Sequence, residues 1–246
     1  MTTEQKTMLL TGASRGIGHA TVKLFHDNGW RVLTVSRDPF DPNCPWPGGT
    51  ENHLQANLAD PDSYPRLIAD VSTHLDGRGL DALVNNAGIS PKKPDGGRLG
   101  VLDCDYQTWN DVLNVNLVST AMLARGLFPQ LRSVGGTIVN VTSIVGSRVH
   151  PFAGVAYACS KAALAALTRE LAHEFGPFGV RANAIAPGEI ETSILSPGTE
   201  EIVERQIPMG RLGDPQEIAE TISFLCSPKS AYINGAEIHI NGGQHV

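Results

Sequence analysis

Tyr157 and Lys161 stand four residues apart in Tyr157-Ala158-Cys159-Ser160-Lys161. On a helix that spacing puts both side chains on one face, within reach of a shared ligand. A free phenol ionises near pH ~10 and is a poor base at neutral pH. A fixed ammonium a few ångströms away favours the phenolate and draws its pKa toward the working range. The chemistry on offer is proton exchange with an oxygen atom. Ser143, at the end of the apolar run Val141-Thr142-Ser143, adds a hydroxyl that can hydrogen-bond that same oxygen as charge develops on it. Such a tyrosine–lysine pair arises by chance on many helices, so its weight depends on what surrounds it.

Near the N-terminus, Thr11-Gly12-Ala13-Ser14-Arg15-Gly16-Ile17-Gly18 lies between a strand-like run and a helical one. Glycines there permit positive φ and let backbone approach a pyrophosphate, which also gains from the helix N-terminus behind it. The spacing is GxxxGxG and no GK[ST] follows, which disfavours a nucleotide-triphosphate loop. A carboxylate at the end of the second strand, about 20 residues on, would bind a ribose 2′-hydroxyl and repel a 2′-phosphate. Ser36 occupies that place, followed by Arg37, while Asp38 falls one residue late. Arg37 and Arg15 are suited to grip a phosphate, so the expected cofactor is NADP(H), with NADPH preferred over NADH.

Positioning these groups requires a regular scaffold. Strands are predicted over 7–11, 31–36, 53–57, 80–85, 137–142, 180–185 and 237–240, several as continuous apolar runs of the kind buried on both faces of a parallel sheet. Helices are predicted over 17–28, 61–75, 106–132, 153–175 and 215–226, with Gly29 and Gly176 closing two of them. A short helix is expected at 200–206. The alternation gives an α/β fold: one Rossmann-type, doubly wound domain with a seven-stranded parallel sheet and helices on both faces. Its cofactor half spans about 1–145 and its catalytic half about 146–246. Three stretches (38–50, 89–105 and 189–208) carry the prolines and glycines of loops.

A chain of 246 residues buries a large core without staples. Its net charge of −6 and lack of any long Lys/Arg block argue against nucleic acid as a partner. No apolar run approaches membrane-spanning length and no signal peptide is legible, so a cytoplasmic, non-membrane protein is expected. Cys44, Cys104, Cys159 and Cys226 are scattered and the histidines form no ligand pattern, so no metal is expected.

Taken together, these motifs resemble the short-chain dehydrogenase/reductase family over essentially the whole chain. The glycine-rich turn, Asn85-Asn86-Ala87-Gly88, Val115-Asn116-Leu117, Ser143 and the Tyr157/Lys161 pair occur in the family's order, followed by Pro187-Gly188-Glu189-Ile190-Glu191-Thr192. The resemblance implies a catalytic set of Asn116, Ser143, Tyr157 and Lys161. Tyr157 would exchange the proton, Lys161 would also bond the nicotinamide ribose, and Asn116 would hold a relay water, Asn114 being the poorer fit to that position. It implies that Asn86, Ala87 and Gly88 line the adenosine side, and that Pro187, Gly188, Ile190 and Thr192 lie at the nicotinamide end. Asn57-Leu58 stand where the family has an acidic residue before an apolar one, with Asn57 able to reach adenine. His150 falls where the family lines its substrate pocket.

The implied function is NADP(H)-dependent interconversion of a ketone or aldehyde and an alcohol, with a small carbonyl or alcohol compound as substrate. The alternative is a catalytically silent NADP(H)-binding regulatory protein. The 3-oxoacyl-carrier-protein reductases and glucose- or polyol-type dehydrogenases share this core. His173 in Leu171-Ala172-His173-Glu174 replaces an arginine expected of the carrier-protein enzymes. Related proteins are tetramers, and a stripe of Leu164, Leu167, Leu171 and Phe175 with alanines on a second face fits a homotetramer here.

Overall fold

The computed structural model describes residues 5–41, 44, 49–192 and 198–246. Seven short strands, β1 (Thr7–Thr11), β2 (Arg31–Ser36), β3 (His53–Gln55), β4 (Ala82–Asn85), β5 (Thr137–Val141), β6 (Arg181–Pro187) and β7 (Glu237–Ile240), form one parallel sheet in the order β3-β2-β1-β4-β5-β6-β7. Alternating side chains feed two cores. Leu9, Leu33, Leu83 and Ile138 point to one face, where α2 (Ser63–Leu75), α4 (Ser119–Gly126) and α6 (Val155–Phe175) cover them. Met8, Leu10, Val84 and Val139 point to the other, against α1 (Gly16–Asp27) and α8 (Pro215–Leu225). The remaining helices are α3 (Tyr106–Leu113), α5 (Phe128–Val134) and α7 (Thr199–Gln206).

The order in which strands are added reverses between β1 and β4: β2 and β3 build outward on one side of β1, β4 to β7 on the other. A crevice at the C-terminal ends of strands flanking such a switch is where open α/β sheets bind ligands.

Several expected boundaries shift, each for a local reason. β3 stops at Gln55 because Asn57 turns back on itself, its Oδ1 accepting from Ala59 N at 3.1 Å. β4 starts only at Ala82, since Leu80 N donates instead to Gln130 O at 3.0 Å. β6 runs on to Pro187, two residues past the expected end, because β7 pairs with it that far. The single helix predicted over 106–132 is four pieces: α3, a π-helical turn at Asn114–Val118, α4, and α5 with Pro129 in its first turn. Gly176 has φ −53 and leads into a 3-10 turn; the left-handed residue that follows is Gly179, φ +79. The predicted loops 38–50 and 189–208 extend in part beyond the described residues, at 42–43, 45–48 and 193–197.

Candidate active site

At the head of β1, Gly12 has φ +75 and Gly16 φ +54, a region side chains disfavour. A Cβ on Gly12 would lie 2.8 Å from Ala87 Cα, so the turn is pressed against Asn85-Asn86-Ala87-Gly88. Asn86 Nδ2 donates to Gly12 O at 2.8 Å, and Thr11 Oγ1 accepts from Asn86 N and Ala87 N, both at 3.1 Å. The α1 N-terminus behind it has no side-chain cap, and exposed Arg15 occupies the cap position beside exposed Ser14. Free N–H groups, left-handed glycines and a flanking arginine fit a dinucleotide pyrophosphate. Thr192 closes over this turn, its Cγ2 3.1 Å from where a Gly16 Cβ would be. Ile17 and Ile190 pack into the core behind, the latter buried against Gly213.

Four groups meet above β4 and β5. Lys161 is buried and donates to Val141 O at 2.7 Å, which leaves two of its three N–H bonds for other partners. Its Nζ lies 5.6 Å from the Tyr157 ring centroid, on the same face of α6 as the phenol. Tyr157 shares a hydrogen bond with Ser143, the residue that starts the 3-10 turn Ile144–Gly146. That turn rides directly on α6, since a Cβ on Gly146 would lie 2.9 Å from Ala162 N. α6 itself is keyed to the sheet through Asn85 Nδ2→Asn140 Oδ1 and Asn140 Nδ2→Thr168 Oγ1, each 2.9 Å. Gly88 approaches both Lys161 Nζ (3.4 Å from its built Cβ) and Asn116 Oδ1 (3.5 Å). The ammonium and the glycine-rich turn thus both border Asn86-Ala87-Gly88, with the phenol beside the ammonium.

A family model described as enoyl-(acyl carrier protein) reductase matches residues 12–245. The chain is 57% identical over 244 residues to Protein FixR of Bradyrhizobium diazoefficiens, covering 99% of this chain and 88% of that one. It is 34% identical over 253 residues to the 3-oxoacyl-(acyl-carrier-protein) reductase FabG of Vibrio cholerae, covering 100% of both. A solved oxidoreductase of the short chain dehydrogenase/reductase family from Brucella ovis, in complex with a partially ordered NAD, is 54% identical; the match covers 97% of this chain and 100% of that one, with a TM-score of 0.85. A 3-oxoacyl-(acyl-carrier protein) reductase with bound NAD from Brucella melitensis is 32% identical, covering 99% and 92%, with a TM-score of 0.88.

The chain is a short-chain dehydrogenase/reductase.

Within this dehydrogenase/reductase the electrostatics differ from the expectation built on spacing alone. Burial pushes the Tyr157 phenol above its ordinary pKa; the Ser143 hydrogen bond opposes this and the nearby Glu189 carboxylate adds to it. The ammonium does not win because it lies over the ring rather than at the hydroxyl, and burial lowers its own pKa to about 8. The phenol therefore keeps its proton at neutral pH.

Asn116, in the π-helical turn, has its amide committed. Oδ1 accepts from Ile89 N at 2.8 Å, while Nδ2 donates to Ile89 O at 3.1 Å and to Ser160 Oγ at 2.9 Å. Both donors are spent on protein, so the side chain clamps the strand-end loop to α6 and has no donor left for a water. Asn114 points elsewhere, donating to Ala59 O at 3.0 Å. Ser160 and Ile89, which spacing did not single out, complete this clamp. The only hint was Ser160's place one turn after Tyr157.

At the end of β2, where the adenosine is expected, Ser36 Oγ donates to Asp38 O at 2.7 Å, and Arg37 pairs loosely with Asp38 at 3.6 Å, both side chains exposed. Leu58 is in the core, so only its backbone can face a ligand, whereas Asn57 is exposed. Pro187 ends β6, and Gly188 is required by space: a Cβ there would lie 2.6 Å from Asn241 Cβ. An open depression of about 650 Å³ lined by Lys6, Trp30 and Asp81 lies at the opposite, N-terminal ends of the strands, away from all these groups. Among the described residues no His/Cys/Asp/Glu cluster could hold a metal ion, and no helix is long and apolar enough to cross a membrane.

Lys161→Met isolates the cost of burying the amine. The folded-state pKa is about 8 against the ordinary 10.5, so between these values the unfolded chain holds a proton that the folded one has released. Stability from this group rises with pH across that window. Urea titrations should show the wild type gaining on the variant as pH climbs from about 8 to 10.5, with a constant difference below it. Parallel pH profiles for the two proteins would contradict a buried amine of depressed pKa.

Proposed function

We propose that the protein is an NADP(H)-dependent oxidoreductase that interconverts a ketone or aldehyde and the corresponding alcohol, with Tyr157 as the acid/base. The reading rests on the convergence of the Tyr157 phenol, the Ser143 hydroxyl and the Lys161 ammonium in the crevice that also holds the uncapped start of α1. A bound nicotinamide supplies hydride transfer. Tyr157 gives its proton to the substrate oxygen while Ser143 hydrogen-bonds that oxygen and stabilises the charge passing through it. Lys161 turns its two remaining N–H donors to the nicotinamide ribose and keeps the phenol oriented. Asn116 acts as a positioning residue through Ile89 and Ser160. A phenol held in its protonated form suits the reductive direction. No observation favours the silent regulator. A panel of ketones and aldehydes, with NADPH consumption followed by absorbance, tests the reading. Binding of NADPH with no turnover of any of them would reject it.

The cofactor preference rests on Ser36 at the end of β2, which is no carboxylate, on Arg37 next to it and on Arg15 at the start of α1. NAD is the dinucleotide in the Brucella structures. Here the phosphate-gripping residues favour NADP(H). Arg37→Ala should weaken NADPH binding by about tenfold to a hundredfold, the worth of a charge-assisted hydrogen bond, and leave NADH binding unchanged. A wild type that binds NADH more tightly than NADPH would overturn the assignment.

The working form is proposed to be a cytoplasmic homotetramer built from one domain per chain. α6 leaves Ala162 and Ala166 exposed along one side, small enough for close helix packing, and β7 ends the sheet with a free edge. Light scattering should return four chain masses; the mass of a single chain would exclude it.

A further inference from the structure

The three loops after strand ends meet at one point. Lys92 Nζ donates to Phe152 O, Arg98 Nε donates to Ala153 O at 2.9 Å, and Val155 N donates to Leu99 O at 3.0 Å, tying the loop after β4 to the segment before α6. Phe152 in turn lies against Gly198, its Cζ 3.2 Å from a built Cβ there. Between them His150 Nε2 comes within 2.7 Å of Glu189 Oε1, with side-chain exposures of 7% and 17%.

The contact is close but poorly aligned, so the buried Nε2 has no formed hydrogen bond. The other ring nitrogen accepts from Phe152 N at 3.2 Å, which fixes the neutral tautomer with its proton on Nε2. The Glu189 carboxylate raises the pKa of the Tyr157 phenol and opposes the lowering of that of Lys92, so both groups lie within its electrostatic reach. A buried donor with no formed hydrogen bond and a carboxylate acceptor therefore stand side by side, on the segment between Ser143 and Tyr157 and on the loop after β6. Neither is used by the mechanism above.

We propose that His150 and Glu189 form a two-point recognition site for a substrate hydroxyl adjacent to the reacting carbon, so that the preferred substrates are hydroxyketones and their diols. The inference rests on the carbonyl–alcohol reading of the same site. A hydroxyl accepts from His150 Nε2–H and donates to Glu189 at once. An ammonium has no lone pair for the histidine, and a carboxylate or phosphate in that place meets the Glu189 charge. A plain ketone offers neither bond and leaves His150 Nε2 with only its misaligned contact to Glu189, and hydrogen-bonding sites discriminate strongly against analogues that lack the group they bind.

The test uses the full-length protein with NADPH and three small probes of equal carbon number: acetoin, butanone and acetoacetate. Wild type should reduce acetoin with a kcat/KM at least about tenfold above butanone and acetoacetate. Glu189→Gln should shrink the acetoin advantage and raise acetoacetate relative to acetoin; His150→Phe should shrink the advantage alone. In parallel, butanediol should raise the Tm of the NADP⁺-loaded wild type more than butanol does, and neither variant should show that difference. Parallel loss on all probes, with ratios unchanged, would mean that the pair only staples the loops, and the proposal falls. Turnover of butanone equal to acetoin also overturns it while leaving the reductase reading intact. Absence of turnover together with diol-specific stabilisation that both variants abolish would uphold the hydroxyl site and sink the reductase reading; absence of both would sink the two together.

Discussion

Tyr157→Phe lowers kcat for carbonyl reduction by about 10²–10⁴-fold, the usual worth of a positioned general acid, while the Kd for NADPH is unchanged. The substitution removes one oxygen from a half-buried ring and leaves Lys161 on Val141 O. KM should move little if the phenol's proton matters only as the transition state forms. The raised phenol pKa adds a second readout. Because Tyr157 holds its proton past its ordinary value of 10.0, the reductive rate should stay flat through neutral pH, and loss of the phenol's own proton should lower it only in strong alkali, apart from any step near 8 from Lys161. The oxidative rate, which needs the phenolate, should climb over the same range. Activity that survives the change to Phe, or a reductive rate that drops near neutrality, would assign the proton to another group.

Gly18→Ala disables the cofactor turn although Ala is the better helix former. In an open helix interior this change stabilises by about 0.5–1 kcal/mol. Here the added Cβ would stand 2.0 Å from Gly12 O and 2.8 Å from Asn86 Nδ2, neither of them a flexible chain end. Gly12 O must move, and with it goes the 2.8 Å bond from Asn86 that joins β1 to β4. Forcing a methyl into packed backbone costs about 1–3 kcal/mol, or about 2–4 °C of Tm per kcal/mol for a chain of this size. NADPH affinity should fall with it, because the displaced backbone is the surface proposed to face the pyrophosphate. A variant with unchanged or higher Tm and full NADPH affinity would show that the turn is looser than these contacts imply.

The reach of local pattern is plain in particular elements. Apolar runs at Thr7–Thr11 and Arg31–Ser36 set these strands to the residue, because burial on both faces of a parallel sheet leaves a signal within the segment itself. The four-residue spacing of Tyr157 and Lys161, and the glycines at 12, 16 and 18, were equally legible, since one-face helical spacing and left-handed φ are properties of neighbours in the chain. The resemblance to short-chain dehydrogenases/reductases rested on such motifs in order, and the family assignment holds.

What local pattern left open is what depends on approach between distant segments. A helix predicted unbroken over 106–132 contains a π-helical turn, because Asn116 must reach Ile89 and Ser160, 27 and 44 residues away. Ionisation of Tyr157 followed the same logic. Spacing gave the nearness of an ammonium, but burial and the Glu189 charge, both set by tertiary packing, decided the direction. The His150–Glu189 contact joins residues 39 apart on separate loops, and nothing in either segment announces it. Sequence alone determined the strands of the sheet, the glycine-rich turn and the one-face spacing of Tyr157 and Lys161, since each is coded by residues within a few positions of one another. Tertiary structure decided the amide clamp, the protonation state and the shape of the pocket, because buried contacts and desolvation exist only once remote parts of the chain have been brought together.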